Sequence, residues 1–148
     1  MIKKILLISL ILMTACGYKP IYKNTLLDYK FYEIDLQGEQ IINNKIINTL
    51  KISQSNEVKF FDKLSIKSSK IIQETSKNSK GKIETYRSIF NVEVSITRDN
   101  KIIKKQNFNE DFSYANKISK FELAQYQIEI ENTIINKIIS DIKIFLSY

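Results

Sequence analysis

The chain has 148 residues, 43% of them hydrophobic, with 23 basic and 16 acidic side chains, one cysteine and no histidine. That length suits a single domain with its own core. Without histidine, imidazole metal triads, Ser-His and Cys-His nucleophile pairs and the usual proton shuttle are excluded, and one cysteine excludes an internal disulfide.

The N-terminus opens on Lys3 and Lys4, runs through nine largely apolar residues from Ile5 to Met13, and closes on the small residues Thr14 and Ala15. This is the order of a secretory signal peptide. A spanning helix needs about 20 apolar residues, and here Tyr18, Lys19 and Pro20 interrupt the run. The stretch Leu12-Met13-Thr14-Ala15-Cys16-Gly17 resembles the lipobox of bacterial lipoproteins, whose cysteine sulfur takes a diacylglycerol and whose freed amine takes a further acyl chain. The resemblance implies cleavage before Cys16, with covalent N-acyl and S-diacylglycerol lipid on Cys16 and no other cofactor. The alternative is an ordinary signal peptide followed by a buried cysteine. Two or more acyl chains make a stable membrane tether. Removing residues 1–15 leaves 133 residues with 21 basic and 16 acidic side chains, a formal charge of +5. Lysines outnumber arginines 21 to two, which reflects composition more than function. An exported, tethered chain of this charge fits anionic lipid, acidic glycan or an acidic partner surface better than nucleic acid.

After the lead Gly17-Tyr18-Lys19-Pro20-Ile21-Tyr22, residues Phe31 to Leu36 read as a strand with Tyr32, Ile34 and Leu36 on one face. Gly38 ends it. From Glu39 to about Ser53, Ile41, Ile42, Ile46, Ile47 and Leu50 keep one helical face, with Glu39 at the positive N-terminal end. Leu64, Ile66 and Ile71 to Gln73 suggest a second strand, and the polar stretch Thr75 to Lys82 reads as a hairpin loop. Tyr86, Ser88, Phe90, Val92, Val94 and Ile96 then alternate with polar residues, the strongest strand signal in the chain. Arg98-Asp99-Asn100-Lys101 has the composition of a tight turn, after which Ile102, Phe108, Phe112 and Tyr114 continue the apolar face.

Ser119-Lys120-Phe121-Glu122 fits a capping box, and Ile118 and Leu123 are spaced for a hydrophobic staple at the start of a long last helix. Its apolar residues, from Leu123 to Leu146, cover about half the circumference, wider than the ~100° stripe needed to sit on a sheet. The extra flank packs on the first helix or serves a partner. The expected fold is therefore α+β: a two-layer sandwich of two amphipathic helices on one face of a mostly antiparallel four-stranded sheet. The helical crossover leaves the first two strands parallel or antiparallel.

Three glycines, at 17, 38 and 81, cannot form a phosphate-cradling loop. The carboxylate pairs Glu110-Asp111 and Glu129 with Glu131 do not converge, being neighbours on a strand and i,i+2 on a helix. The reading is a non-enzyme.

The lipobox followed by Gly17-Tyr18-Lys19-Pro20-Ile21-Tyr22, the early strand and helix, Thr85-Tyr86-Arg87 entering a long hairpin, Asp111-Phe112-Ser113-Tyr114 at its end and the terminal amphipathic helix resemble the LPS-assembly lipoprotein family, LptE, of alphaproteobacterial type. The resemblance spans the whole chain, which departs from it in lysine for arginine, isoleucine for alanine in the last helix, and a tail ending at Tyr148. It implies a signal peptide over 1–15, a lipidated tether and lead-in over 16–30, and a single α+β lipoprotein domain over 31–148. It further implies a non-catalytic subunit of the lipopolysaccharide translocon, lipid-anchored at the periplasmic face of the cell outer membrane. There it would plug and help assemble a β-barrel LPS-assembly protein and engage lipopolysaccharide. Arg98, Lys101, Lys104 and Lys105 at the hairpin tip, with Arg87 as a lesser candidate, are basic donors for lipid A phosphates, or a solvated basic turn. Two competing functions are an auxiliary lipoprotein of a phospholipid-transport ABC system and a free-standing structural envelope lipoprotein.

Overall fold

The computed structural model describes residues 29–57 and 61–147. The expected signal peptide, Cys16 and the tether up to residue 28 lie outside the described residues. Within them the order is β1 (Lys30–Phe31), β2 (Glu33–Gly38), α1 (Gln40–Leu50), β3 (Ser53–Gln54), β4 (Lys63–Lys77), β5 (Ile83–Arg98), β6 (Lys101–Ala115) and α2 (Lys120–Ser147). One sheet has the order β2-β4-β5-β6, and β1 with β3 forms a small second pair. β2 runs parallel to β4 through the α1 crossover, while β4, β5 and β6 form an antiparallel meander. Both helices pack on one face of the large sheet, giving the expected α+β sandwich.

The meander follows from alternation and two turns. Leu64 and Ile66 of β4 and Phe90, Val92 and Val94 of β5 point to the helices and are almost wholly buried, while odd-numbered neighbours face water. The β5–β6 turn places Asp99 and Asn100 at φ 48° and 59°. Left-handed backbone at both central positions matches the twist of the strands, and Asp and Asn tolerate it. In the β4–β5 turn the Asn78 carboxamide oxygen accepts from the amides of Lys80 and Lys82, each at 3.0 Å.

Several local expectations are corrected. The first strand is not continuous from Phe31 to Leu36: it bends at Tyr32, whose amide donates to the Asp62 carbonyl at 2.9 Å, so Phe31 enters the core and Tyr32 turns outward. Thr75 to Lys77 are strand, not loop, because Ser76 and Lys77 still pair with Thr85 and Ile83 and the Thr75 and Ser76 hydroxyls each bond the Thr85 hydroxyl at 2.7 Å. On β6 the register slips, with Ile96 opposite Lys104 but Thr97 opposite Ile102. Ile103 is thus an extra residue, a β-bulge that reverses parity, so Ile102 leaves the apolar face and is 62% exposed. At the start of α2, Ser119 Oγ accepts from the Glu122 amide at 3.4 Å, but Ile118 is fully exposed and no staple closes on Leu123.

α1 begins where β2 and β4 come closest. Gly38 has φ +88°, and a Cβ there would lie 1.8 Å from the Ser68 carbonyl oxygen, so only glycine fits. The Ser68 hydroxyl donates to the Glu39 carbonyl at 3.2 Å, and Asn43 donates to the Gln37 carbonyl at 3.0 Å. The helix stops at Leu50, short of the expected Ser53, because Lys51 turns left-handed at φ 52° and the Ile52 amide bonds back to the Ile47 carbonyl. Ile42, Ile46 and Leu50 meet Ile135, Ile138 and Ile142 of α2 in the core. The wide apolar face of α2 is thereby shared between the sheet and α1, and Lys45 reaches across to Asn132 at 2.7 Å. β2 covers β4 only from Lys63 to Ser68, leaving Ser69 to Lys77 paired on one side among the described residues.

Candidate functional site

The basic residues of the β5–β6 hairpin were the sequence candidates for ligand contact, and the fold gives each a different environment. Arg98 clamps the Asp62 carboxylate with two bonds, Nε to Oδ1 at 2.6 Å and Nη2 to Oδ2 at 2.9 Å. That hydrogen-bonded pairing raises the arginine pKa further above its ordinary value. Lys105 pairs with Glu93 at 2.9 Å on the outer face of the sheet. Lys104, one residue earlier, faces the helices: its Nζ sits 5.7 Å over the Phe145 ring and donates to the Phe145 carbonyl at 3.4 Å. Lys101 lies opposite Arg98 at the tip, exposed and without an ion pair among the described residues.

Arg87 lies eleven residues back along β5, about 36 Å from Arg98 at 3.3 Å per residue. It pairs with Asp111 at 2.8 Å, and this hydrogen bond holds the Asp111 carboxyl below the usual carboxylate range. The five candidates therefore do not converge on one point: neighbours on a strand point to opposite faces, and two arginines and one lysine are held by internal carboxylates. The acidic pairs are divided in the same way, Glu110 to Lys137, Asp111 to Arg87 and Glu131 to Lys70. Among the described residues no group of three His, Cys, Asp or Glu side chains stands close enough to hold a metal ion.

Two features were not read from the sequence. An open groove of about 610 Å³ runs between the free edge of β6 and the last turns of α2, with Phe108, Phe145 and Ile144 as its apolar lining and Lys104, Glu110 and Asp141 as its charged rim. At the same end of the sandwich, Tyr32, Phe61, Ile102 and Ile103 are exposed. The adjacent apolar pair Ile102-Ile103 breaks strict alternation, and that was the available signal for a bulge.

No family model and no curated protein matches the sequence. Solved structures do. The rare lipoprotein B crystal structure from Shewanella oneidensis superposes with a TM-score of 0.51 at 12% identity, over 78% of this chain and 99% of that one. The solution structure of an uncharacterized lipoprotein B from Nitrosomonas europaea gives 0.55 at 11% identity, over 85% and 87%. The fold is one that solved lipoproteins share. A Helicobacter pylori structure described as a neuraminyllactose-binding hemagglutinin homolog also matches, at 0.52 and 12% identity over 84% and 87%. The architecture thus carries more than one named role, and function rests on surfaces rather than on fold.

Proposed function

We propose that this chain is a lipid-anchored, non-catalytic lipoprotein of the outer membrane. In this reading it is the plug and assembly partner of the β-barrel LPS-assembly protein, held by acyl chains on Cys16 and contributing to lipopolysaccharide transport to the cell surface. The observation that carries the reading is the fold shared with the rare lipoprotein B structure, which is matched over 99% of its length at 12% identity. The residue pattern that resembles the LPS-assembly lipoprotein family, from the lipobox to the last helix, supports it independently. The physical fit is a sandwich whose uncovered sheet face is polar, with Ser65, Ser69, Asn91 and Asn109 beside the paired charges Lys105–Glu93 and Arg87–Asp111, and so suited to the water-lined lumen of a large barrel. Among the described residues no helix is long and apolar enough to cross a membrane.

Mild-detergent purification of the acylated protein followed by mass spectrometry of what comes with it tests this. A stoichiometric outer-membrane barrel is the expected result. An inner-membrane ATPase complex would instead support the phospholipid-transport reading, and no stable partner would support a free-standing envelope lipoprotein. For direct lipopolysaccharide contact, Lys101 is the best-placed of the candidate residues, since it is exposed at the hairpin tip and pairs with no carboxylate among the described residues. Reversing Arg98, Lys101, Lys104 and Lys105 together should weaken lipopolysaccharide binding by the purified protein, and unchanged binding removes these residues from that role.

A further inference from the structure

The chain runs back toward Cys16 from one end of the sandwich, which joins exposed apolar side chains to the net positive charge; exposed apolar side chains by themselves also occur at the opposite end, at Ile118 and Phe121. Tyr29 is seated at the tether end, its hydroxyl donating to the Lys143 carbonyl near the end of α2 at 3.4 Å. β2 starts at this end, β4 starts beside it, and the β5–β6 turn closes it. Its last row is Tyr32, Asp62, Arg98 and Lys101, joined by the Tyr32 amide and the Arg98 clamp.

Three independent features meet on this end. The first is apolar exposure: Tyr32, Phe61, Ile102, Ile103 and Ile144 all project at least about half of their surface into solvent. The bulge at Ile103 creates part of this, by turning Ile102 away from the core. The second is charge. Residues 30–34, 51–57, 61–64, 96–105 and 143–147 hold eight basic and four acidic side chains, whereas the remaining described residues hold ten basic and eleven acidic ones. The net positive charge of the described residues is therefore concentrated at this end. The third is reach. Twelve residues lie between Cys16 and Tyr29, thirteen steps that reach at most about 45 Å when fully extended. The 16 residues of β5 span about 50 Å. With Cys16 in a bilayer, standing on the opposite end, where Ile118 is exposed, would demand a fully extended lead and more, whereas resting on the tether end demands no extension.

We infer that the tether end is a membrane-docking face that lies on an anionic phospholipid surface. Ile102, Ile103 and Phe61 insert at the headgroup boundary, Tyr32 sits with its ring among acyl chains and its hydroxyl in water, and Lys101 and Lys104 meet lipid phosphates. The acyl anchor then sets position, and this second contact sets orientation, holding the long axis of the sheet away from the bilayer. The inference rests on the lipid-anchor reading and concerns the anchored protein while it is not seated inside a barrel lumen.

Acylation consumes the thiol of Cys16, so a cysteine introduced elsewhere can be labelled alone. The mature acylated protein carrying Ile102→Cys, and separately Ile118→Cys, is labelled with bimane. It is reconstituted into phosphatidylcholine vesicles with and without phosphatidylglycerol, which contain nitroxide-bearing lipid. Bimane at 102 should be quenched and blue-shifted in the anionic vesicles and bimane at 118 should not. The quenching at 102 should fall in the neutral vesicles, at high salt, and in the Lys101→Gln, Lys104→Gln double variant. Equal quenching at both sites, or none at 102 while the protein floats with the vesicles, overturns the inference, as does shielding of 102 that depends only on protein concentration and so reports a second copy. Intact mass without acyl chains, with failure to float, refutes the anchor reading instead.

Discussion

Substituting Gly38 by alanine should be among the most damaging single-atom additions in this protein, and Gly81 supplies the control. Both glycines have left-handed backbone, φ +88° at Gly38 and +76° at Gly81. For an L-residue this costs about 1–2 kcal/mol, common to both positions. At Gly81 a Cβ meets nothing within 4 Å, so the cost ends there. At Gly38 the Cβ would lie 1.8 Å from the Ser68 carbonyl oxygen, and backbone on both sides prevents relief by a rotamer change. The β2 end must move away by more than ~1 Å, which strains the Glu39 amide bond to the Ser68 carbonyl and the Ser68 hydroxyl bond to the Glu39 carbonyl. Each bond contributes about 1 kcal/mol, so Gly38→Ala should cost about 3–4 kcal/mol in all and Gly81→Ala about 1–2 kcal/mol. Urea denaturation of both variants followed by circular dichroism measures the difference. For a domain of this size it corresponds to a midpoint roughly 6–10 °C lower for Gly38→Ala on heating. Equal loss at the two positions would refute the reasoning, because it would mean that the close approach of β2 to β4 carries no steric constraint.

Ile138→Ala opens a cavity where no surface is exposed and should cost about 2–5 kcal/mol in the same assay, whereas Ile102→Asn, on the outer face beyond the bulge, should change stability by less than about 0.5 kcal/mol. The Asp111 pKa is depressed by its bond to Arg87, so its contribution is fully present above the ordinary carboxylate value of 3.8 and is lost as pH falls through the lower folded value. Arg87→Met should return the Asp111 titration, followed by NMR, to the ordinary range, and an unmoved titration would disprove the pairing. Asp62→Asn should loosen the tip by halving the charge-assisted clamp on Arg98, read as faster amide exchange at Arg98 and Tyr32 without global unfolding.

Most of the architecture was legible because it depends on period. Phe90, Val92, Val94 and Ile96 announce β5 by strict alternation, and the 3.6-residue recurrence of Ile134, Ile138 and Ile142 announces α2. Two of the misreadings share a physical source, a backbone or hydroxyl partner supplied from another strand or segment. Tyr32 bends out because Asp62 offers a carbonyl, and Thr75 to Lys77 stay in strand because Thr85 supplies hydroxyl and backbone partners. A run such as Lys104-Lys105 is a cluster in sequence, but the pleat sends its members to opposite faces. The candidate ligand residues were therefore identifiable by charge, while their dispersal became visible only with the register of β6 in place. The docking end was less legible still, since Tyr32, Phe61, Ile102 and Ile144 come from four separate segments.

The parallel β2–β4 pair has a consequence for how the chain reaches its native state. The chain emerges N-terminus first, so β2 and α1 arrive before the strand they lie on. The meander of β4, β5 and β6 closes through two short turns and pairs quickly, whereas Glu33 must find Lys63 across the α1 crossover and Ile42 must find Ile138 almost a hundred residues later. The early half therefore waits with Ile42, Ile46 and Leu50 uncovered. The interval before α2 is complete is then the one in which this protein is most exposed to aggregation, and slowing the completion of α2 should lengthen it.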